Sequence, residues 1–411
     1  MCINSGRVNV SIFRRFFSDS LQSCRLLSCL SVSCAWTSSA MMALAGVALS
    51  ASHAVAEDRF TLMLGAQEYW DSNFARNAEV DSEHYTRATA SVALHERWSK
   101  QDIALGVSGS RYAYAQRDDL DVSFYEGKAR WRSDWNSRVK TAFAWARDAY
   151  AVDRLEFADK DVVARDDASG ELTLGMGKYL GLTLGARQVA QTHSNKLRDY
   201  LDFDEDEWFV ASSYSTANKS SLSLRLREGS RDYVNPVPNA VAVLDFDYRQ
   251  LEIEGSWTLT RKTQLGFTLG RFKREGDVNA GTGTQALIDL RWAMSEKMML
   301  SLNYSQSEPA VGETSDSPSS VRTGKLILGW EPRSKWLFTA AAGYSKQAYA
   351  QRLIEPARDE TITTFSPLAL TYQLSDLLRL RLDTQWVDRQ SPLVYRDYDY
   401  VQASLGIALV F

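Results

Sequence analysis

The chain has 411 residues, with 47 Lys and Arg against 51 Asp and Glu, a formal net charge of −4, and an aromatic load of 12 Trp, 18 Tyr and 16 Phe. Its four cysteines (Cys2, Cys24, Cys29, Cys34) all sit near the N-terminus, so thiolate catalysis, thiolate metal sites and disulfide stapling are excluded from everything that follows them. Beyond residue 56 no apolar run approaches the ~20 residues that a membrane helix needs, which leaves strands as the only way to cross a bilayer.

In chain order, Arg7, Arg14, Arg15 and Arg25 precede an apolar stretch from Met41 to Leu49, and Ala54-Val55-Ala56 forms a small-residue cleavage site before Glu57. Residues 1–56 are expected to be a signal peptide or leader and residues 57–411 the functional domain. Without the four Arg and one Asp of the leader, 43 basic and 50 acidic residues remain, a net charge of −7.

From residue 59 onward, alternating segments of transmembrane length recur. Strands are expected near 59–69, 84–97, 101–112, 122–133, 136–149, 169–178, 181–192, 206–215, 219–228, 246–258, 262–273, 283–294, 297–307, 321–331, 335–349, 360–373, 377–388 and 399–411. Short connections such as Asp134-Trp135 and Ser295-Glu296 alternate with longer polar ones such as 150–168, 193–205, 229–245 and 308–320. The pattern predicts an all-β fold: a transmembrane antiparallel up-and-down β-barrel of about 18 strands, with short periplasmic turns and long extracellular loops. Sixteen strands is the alternative count, because 206–215 and 360–373 alternate poorly. Pro367 removes a ladder donor, so a bulge is expected there.

The final strand alternates most cleanly. Leu409, Ile407, Leu405, Ala403 and Val401 share one face, while Ala408, Gly406, Ser404 and Gln402 share the other. Elsewhere Leu378, Leu380, Leu382 and Trp386 oppose Arg379, Arg381, Asp383 and Gln385, and Leu222, Leu224 and Leu226 oppose Ser223, Arg225 and Arg227. In 122–133, Phe124, Ala129 and Trp131 are grouped on one face, which demands a parity slip near Gly127. A charge facing lipid costs ~2–4 kcal/mol at the midplane, so the charged face must point inward. Trp98, Trp257, Trp330 and Trp336 lie near short turns, as a periplasmic aromatic girdle requires.

The inward charges carry an apparent basic bias. Arg130, Arg132, Arg225, Arg227, Arg291, Lys325, Arg379 and Arg381 are the candidate lumen contacts for an anion or acidic polymer. Acid is assigned to the loops, Asp118-Asp119-Leu120-Asp121 and the run from Asp202 to Glu207. The alternative is that lumenal acids neutralise these arginines. No G-x-S-x-G, H-E-x-x-H or P-loop is present, and His84, His95 and His193 are the histidines after the leader. No enzyme activity, cofactor, metal or nucleic-acid partner is expected.

Three passages carry a family likeness: Leu224-Arg-Leu-Arg-Glu-Gly-Ser-Arg-Asp-Tyr-Val-Asn-Pro236, then Asp247-Tyr-Arg-Gln-Leu-Glu-Ile-Glu-Gly-Ser-Trp-Thr-Leu-Thr-Arg-Lys-Thr263, and Arg389-Gln-Ser-Pro-Leu-Val-Tyr-Arg-Asp-Tyr-Asp-Tyr-Val-Gln-Ala-Ser404. In these the chain resembles the EpsL-type outer-membrane barrels of exopolysaccharide gene clusters, within the putative β-barrel porin class. The resemblance implies an outer-membrane location, a role in exopolysaccharide synthesis or export, and polysaccharide and periplasmic export machinery as partners beside outer-membrane lipid. It implies no residue-level site. The expected function is a basic-lined conduit for an anionic polymer. The alternatives are a general or solute-specific porin, or a closed structural barrel that docks a secretion partner.

Overall fold

The computed structural model describes residues 59–77, 81–218, 220–238, 243–314, 316–351 and 356–411; the expected leader, 1–56, lies outside them. The strands are β1 Phe60–Asp71, β2 Glu83–Trp98, β3 Gln101–Tyr114, β4 Val122–Asp134, β5 Val139–Ala151, β6 Val162–Met176, β7 Leu180–His193, β8 Phe203–Ser215 and β9 Ser221–Tyr233. They continue with β10 Phe246–Thr260, β11 Thr263–Gly276, β12 Gly281–Ala293, β13 Met298–Ser307, β14 Ser320–Arg333, β15 Trp336–Tyr349, β16 Arg358–Gln373, β17 Leu378–Gln390 and β18 Tyr398–Val410. Each pairs antiparallel with its sequence neighbours, and β1 pairs with β18, so the 18-stranded sheet closes on itself. Closure matters physically, because an open edge would leave unpaired backbone groups in hydrocarbon.

The count of 18 settles against sixteen. Residues 360–373 are a strand, and the register shifts between Phe365 and Ala369 on one side and between Thr339 and Ala341 on the other. That is a bulge around Pro367, as its missing N–H requires. Two strands begin earlier than the alternation suggested. β6 starts at Val162 and β8 at Phe203, which shortens the loops before them. In the short turn 177–179, Gly177 has φ of 86°, a conformation that costs glycine little.

Outside the bulge in β16, facing follows parity. Leu64, Leu105, Leu224, Leu226, Leu251, Leu302, Leu326, Leu405, Ile407 and Leu409 are exposed on the outer wall. Trp98, Trp257 and Trp330 are exposed at the short-turn end, while Trp336 stacks on Phe338 at 5.9 Å and meets Tyr372 at 4.3 Å. This is the aromatic girdle. One facing expectation fails. The β3–β4 register runs without a shift from Gln101↔Ser133 to Tyr112↔Val122, so there is no slip at Gly127. Phe124 therefore faces inward and stacks on Tyr112, and Tyr125 takes the outer face. Gly127 is the outward gap that the Trp145 ring fills: a Cβ there would lie 2.9 Å from it.

Candidate functional site: the lumen and its outer mouth

Strand parity sends a largely polar surface, interrupted by apolar residues towards the long loops, into the cylinder, and its charges are close to balanced. The expected basic bias is therefore corrected. Carboxylates on a neighbouring strand, or two residues along the same strand, neutralise most of the candidate arginines, because parity places cross-strand partners and i, i+2 neighbours on one face. Arg130 on β4 meets Asp102 on β3 at 3.2 Å. Arg225 meets Glu254 at 3.2 Å, and Arg227 meets Glu252 at 3.2 Å and Glu207 at 3.5 Å. Arg291 pairs with Asp289 at 2.8 Å and Arg381 with Asp383 at 2.6 Å. Arg132 is engaged as well. Among the described residues Lys325 and Arg379 make no ion pair. The eight candidates sit on β4, β9, β12, β14 and β17, spread around the wall, and do not converge on one point.

The acids missed by sequence reasoning include Asp102, Glu205 and Glu207. The last two belong to a run read as an acidic loop. In β8 the alternation instead buries Phe203, Glu205, Glu207 and Phe209 while Asp204, Asp206 and Trp208 are exposed. Two phenylalanines in phase with two glutamates were the available signal. Asp118 to Asp121 do form a connection outside the strands, as expected. His95 faces inward beside Asp102 at 3.2 Å. Asp202 accepts from the His193 backbone N–H at 2.7 Å and lies 2.8 Å from its ring Nδ1, which ties β7 to the loop before β8. Burial pushes the Asp202 carboxyl up from its ordinary value, against the pull of His193.

The inward face changes character along the cylinder. Towards the short turns, Lys128 and Lys140 are exposed and Arg379 and Arg381 half-buried. Towards the long loops the inward residues are packed: Val163, Val189, Phe203, Glu252 and Glu360 are all 2% exposed or less. Phe209 shows how tight this packing is. Its ring covers Gly185, and the Arg225 guanidinium lies 4.8 Å above it. A Cβ on Gly185 would come within 2.2 Å of the ring. Gly185→Val is expected to destabilise the barrel by about 1–3 kcal/mol, as overpacking does, read as a shift in the urea refolding curve in lipid vesicles.

Loops supply the rest of the packing. The loop 308–319, here L7, folds against the inner wall: Ala310 is buried, and the Val311 N–H donates to Asn279 at 2.7 Å. Glu313 accepts from Arg231 on β9 at 3.1 Å, and Asp316 pairs with Arg358 on β16 and with Arg396 at 3.2 Å in the loop 391–397. At the second anchor three guanidiniums surround Glu360. Arg389 reaches it at 2.9 Å, Arg396 at 2.8 Å and Arg358 at 2.8 Å, and the Ser391 hydroxyl donates at 3.0 Å. A second group of loops meets elsewhere on the rim. Arg76 of the loop 72–82 is held by Asp71 at 2.6 Å and lies 3.9 Å from Asp153 in the loop 152–161. Arg198 reaches Glu156 and, at 3.5 Å, Asp161.

No protein-family model matches the chain, and no curated protein matches it. Among solved structures it is similar to the outer-membrane protein OpdK of Pseudomonas aeruginosa, with 11% identity over 86% of this chain and 100% of that one and a TM-score of 0.48. It is similar also to OccK2 (OpdF) of Pseudomonas aeruginosa in a complex with glucuronate, with 12% identity, 86% and 96% coverage and a TM-score of 0.49. OccAB3 of Acinetobacter baumannii gives 10% identity, 87% and 100% coverage and a TM-score of 0.45. Likeness at this level transfers no residue role, and these structures give no support to the exopolysaccharide-cluster resemblance. The closed cylinder, its apolar outer belt and its tryptophan girdle decide the location on their own. This is a bacterial outer-membrane β-barrel.

Proposed function

We propose that the barrel is a porin for small hydrophilic solutes, ions included. The observation that supports this reading is the largely polar inward face, mixed in charge, enclosed by a wall whose outer side is apolar. Side chains of this kind hold water, and a water-filled lumen conducts. Near charge balance argues for weak ion selectivity, with a small anion preference supplied by Lys325 and Arg379. The mature chain in planar bilayers should give stepwise conductance. Lys325→Gln with Arg379→Gln should move the reversal potential across a KCl gradient towards the cation side. A barrel that inserts yet passes no current would remove this reading.

A second reading, a part in exopolysaccharide export, draws on the family likeness. Its three passages supply Arg231, Tyr233, Tyr248, Gln250, Glu252, Arg389 and Arg396, and these share hydrogen bonds and ion pairs at the outer mouth and upper wall. Deleting the gene and measuring secreted against periplasmically trapped polysaccharide separates the two: trapped polymer favours export, and an unchanged distribution leaves the porin reading alone.

A further inference from the structure

The second anchor of L7 contains two carboxylates of different kinds. Glu360 belongs to the wall. It projects from β16, is 0% exposed, and accepts from Arg358, Arg389 and Arg396. It has nowhere to go. Asp316 belongs to a loop and sits on the same guanidiniums, pairing with Arg358 and Arg396. The side chains of those arginines are 2% and 9% exposed, whereas that of Asp316 is 23% exposed. It is therefore the member of this cluster that water, and anything dissolved in it, can reach.

A guanidinium pair held rigidly in a buried site is shaped for a carboxylate, because its fork of N–H donors matches two oxygens. Arg358 is fixed further by the Tyr349 ring, 4.0 Å beneath it, and the Tyr349 hydroxyl accepts from Arg389 and Arg396. The receiving site is thus preorganised by the wall and the loop 391–397, independently of L7. What fills it is a carboxylate on a tether. Three residues earlier in L7, Glu313 makes a separate anchor on Arg231 of β9.

We propose that Asp316 stands in for the carboxylate of an incoming solute. An anionic solute at the outer mouth takes its place on Arg358 and Arg396, the part of L7 between the Glu313 anchor and β14 is released, and the mouth widens. The carboxylate site is thereby both the recognition point for the solute and the latch of the loop. Exchange of one carboxylate for another leaves the buried guanidiniums paired in both states, which keeps the switch affordable; an unreplaced loss of Asp316 would not. The inference rests on the porin reading for its consequence, and on the arginine cluster alone for its binding step.

The test uses sodium benzoate against sodium chloride at equal ionic strength, with the wild-type chain and Asp316→Asn. In detergent, benzoate should lower hydrogen-exchange protection of the Thr314 and Ser319 amides, which donate to Ser317 and Ala348, by several-fold in the wild type, whereas the variant should start deprotected and not respond. In planar bilayers, benzoate on the outer side should raise the occupancy of the larger conductance state several-fold in the wild type alone. Unchanged protection of L7 in the wild type overturns the proposal, even where the channel conducts. The same benzoate response in Asp316→Asn overturns it as well. Deprotection by benzoate in a barrel that never conducts supports the carboxylate site and removes the porin reading.

Discussion

Glu360→Gln is expected to cost about 3–5 kcal/mol of barrel stability, the largest loss of any single neutral substitution in the rim. The reason is local. Arg358, Arg389 and Arg396 all lean on this one carboxylate, and their side chains are 2%, 8% and 9% exposed. Removing its charge leaves buried guanidiniums without the partner that offsets their desolvation. The measurement is the free energy of urea-induced unfolding in lipid vesicles. A control with an exposed loop carboxylate, Asp119→Asn, should change it by less than ~0.5 kcal/mol, since the Asp119 side chain is 60% exposed beside Arg117. If the two variants were equally stable, the rim cluster would not be holding the mouth together, and the latch built on it would lose its footing.

Leu224→Arg should cost ~2–4 kcal/mol in the same assay, and Ser223→Arg, one residue away, less than about 1. The two positions face opposite sides of the wall. Leu224 is 51% exposed on the outer side, where lipid replaces the water of a soluble protein. Ser223 shares the inward face with Arg225 and is paired across the sheet with Glu254 on β10. A new cation there meets a carboxylate and lumenal water. Equal costs would mean that odd and even positions are not divided between lipid and lumen. The barrel's placement in the membrane would then be wrong, and every statement about the lumen with it.

Much of this was legible in the chain itself. The alternation Val401, Ala403, Leu405, Ile407, Leu409 appears in the structure as an outward row, and the same holds for Leu222, Leu224 and Leu226. Pro367 foretold its bulge, because a missing N–H is a covalent fact that no packing can undo. The misreadings have a common origin. β8 opens Phe203-Asp-Glu-Asp-Glu207, a run whose acidity suggests a solvated loop, and only the strand parity divides Asp204 and Asp206 from Glu205 and Glu207. The β4 slip had the opposite cause. Phe124 was grouped with the lipid face because it is apolar, yet an aromatic ring can serve inside a lumen when another ring, here Tyr112 at 5.8 Å, packs on it.

The candidate arginines illustrate the division more sharply. Their inward direction follows from period two and needs no partner to be known. Their charge state in context does not, because Asp102 opposite Arg132 and beside Arg130, or Glu252 opposite Arg225 and beside Arg227, depends on inter-strand register. A register is set by two segments at once and is invisible in either alone.

By itself, then, the sequence determined the period, the strand length and the side on which each residue of a regular strand would lie, since these follow from backbone geometry repeated locally. Tertiary structure alone decided which charges meet and how the outer end is packed. Arg231 of β9, Glu313 and Asp316 of L7, Arg358 and Glu360 of β16 and Arg396 of the loop 391–397 come from four elements, and only closure of the cylinder brings these together. Coulombic partners act over a few ångströms of space whatever their separation along the chain, so no local pattern could have announced them.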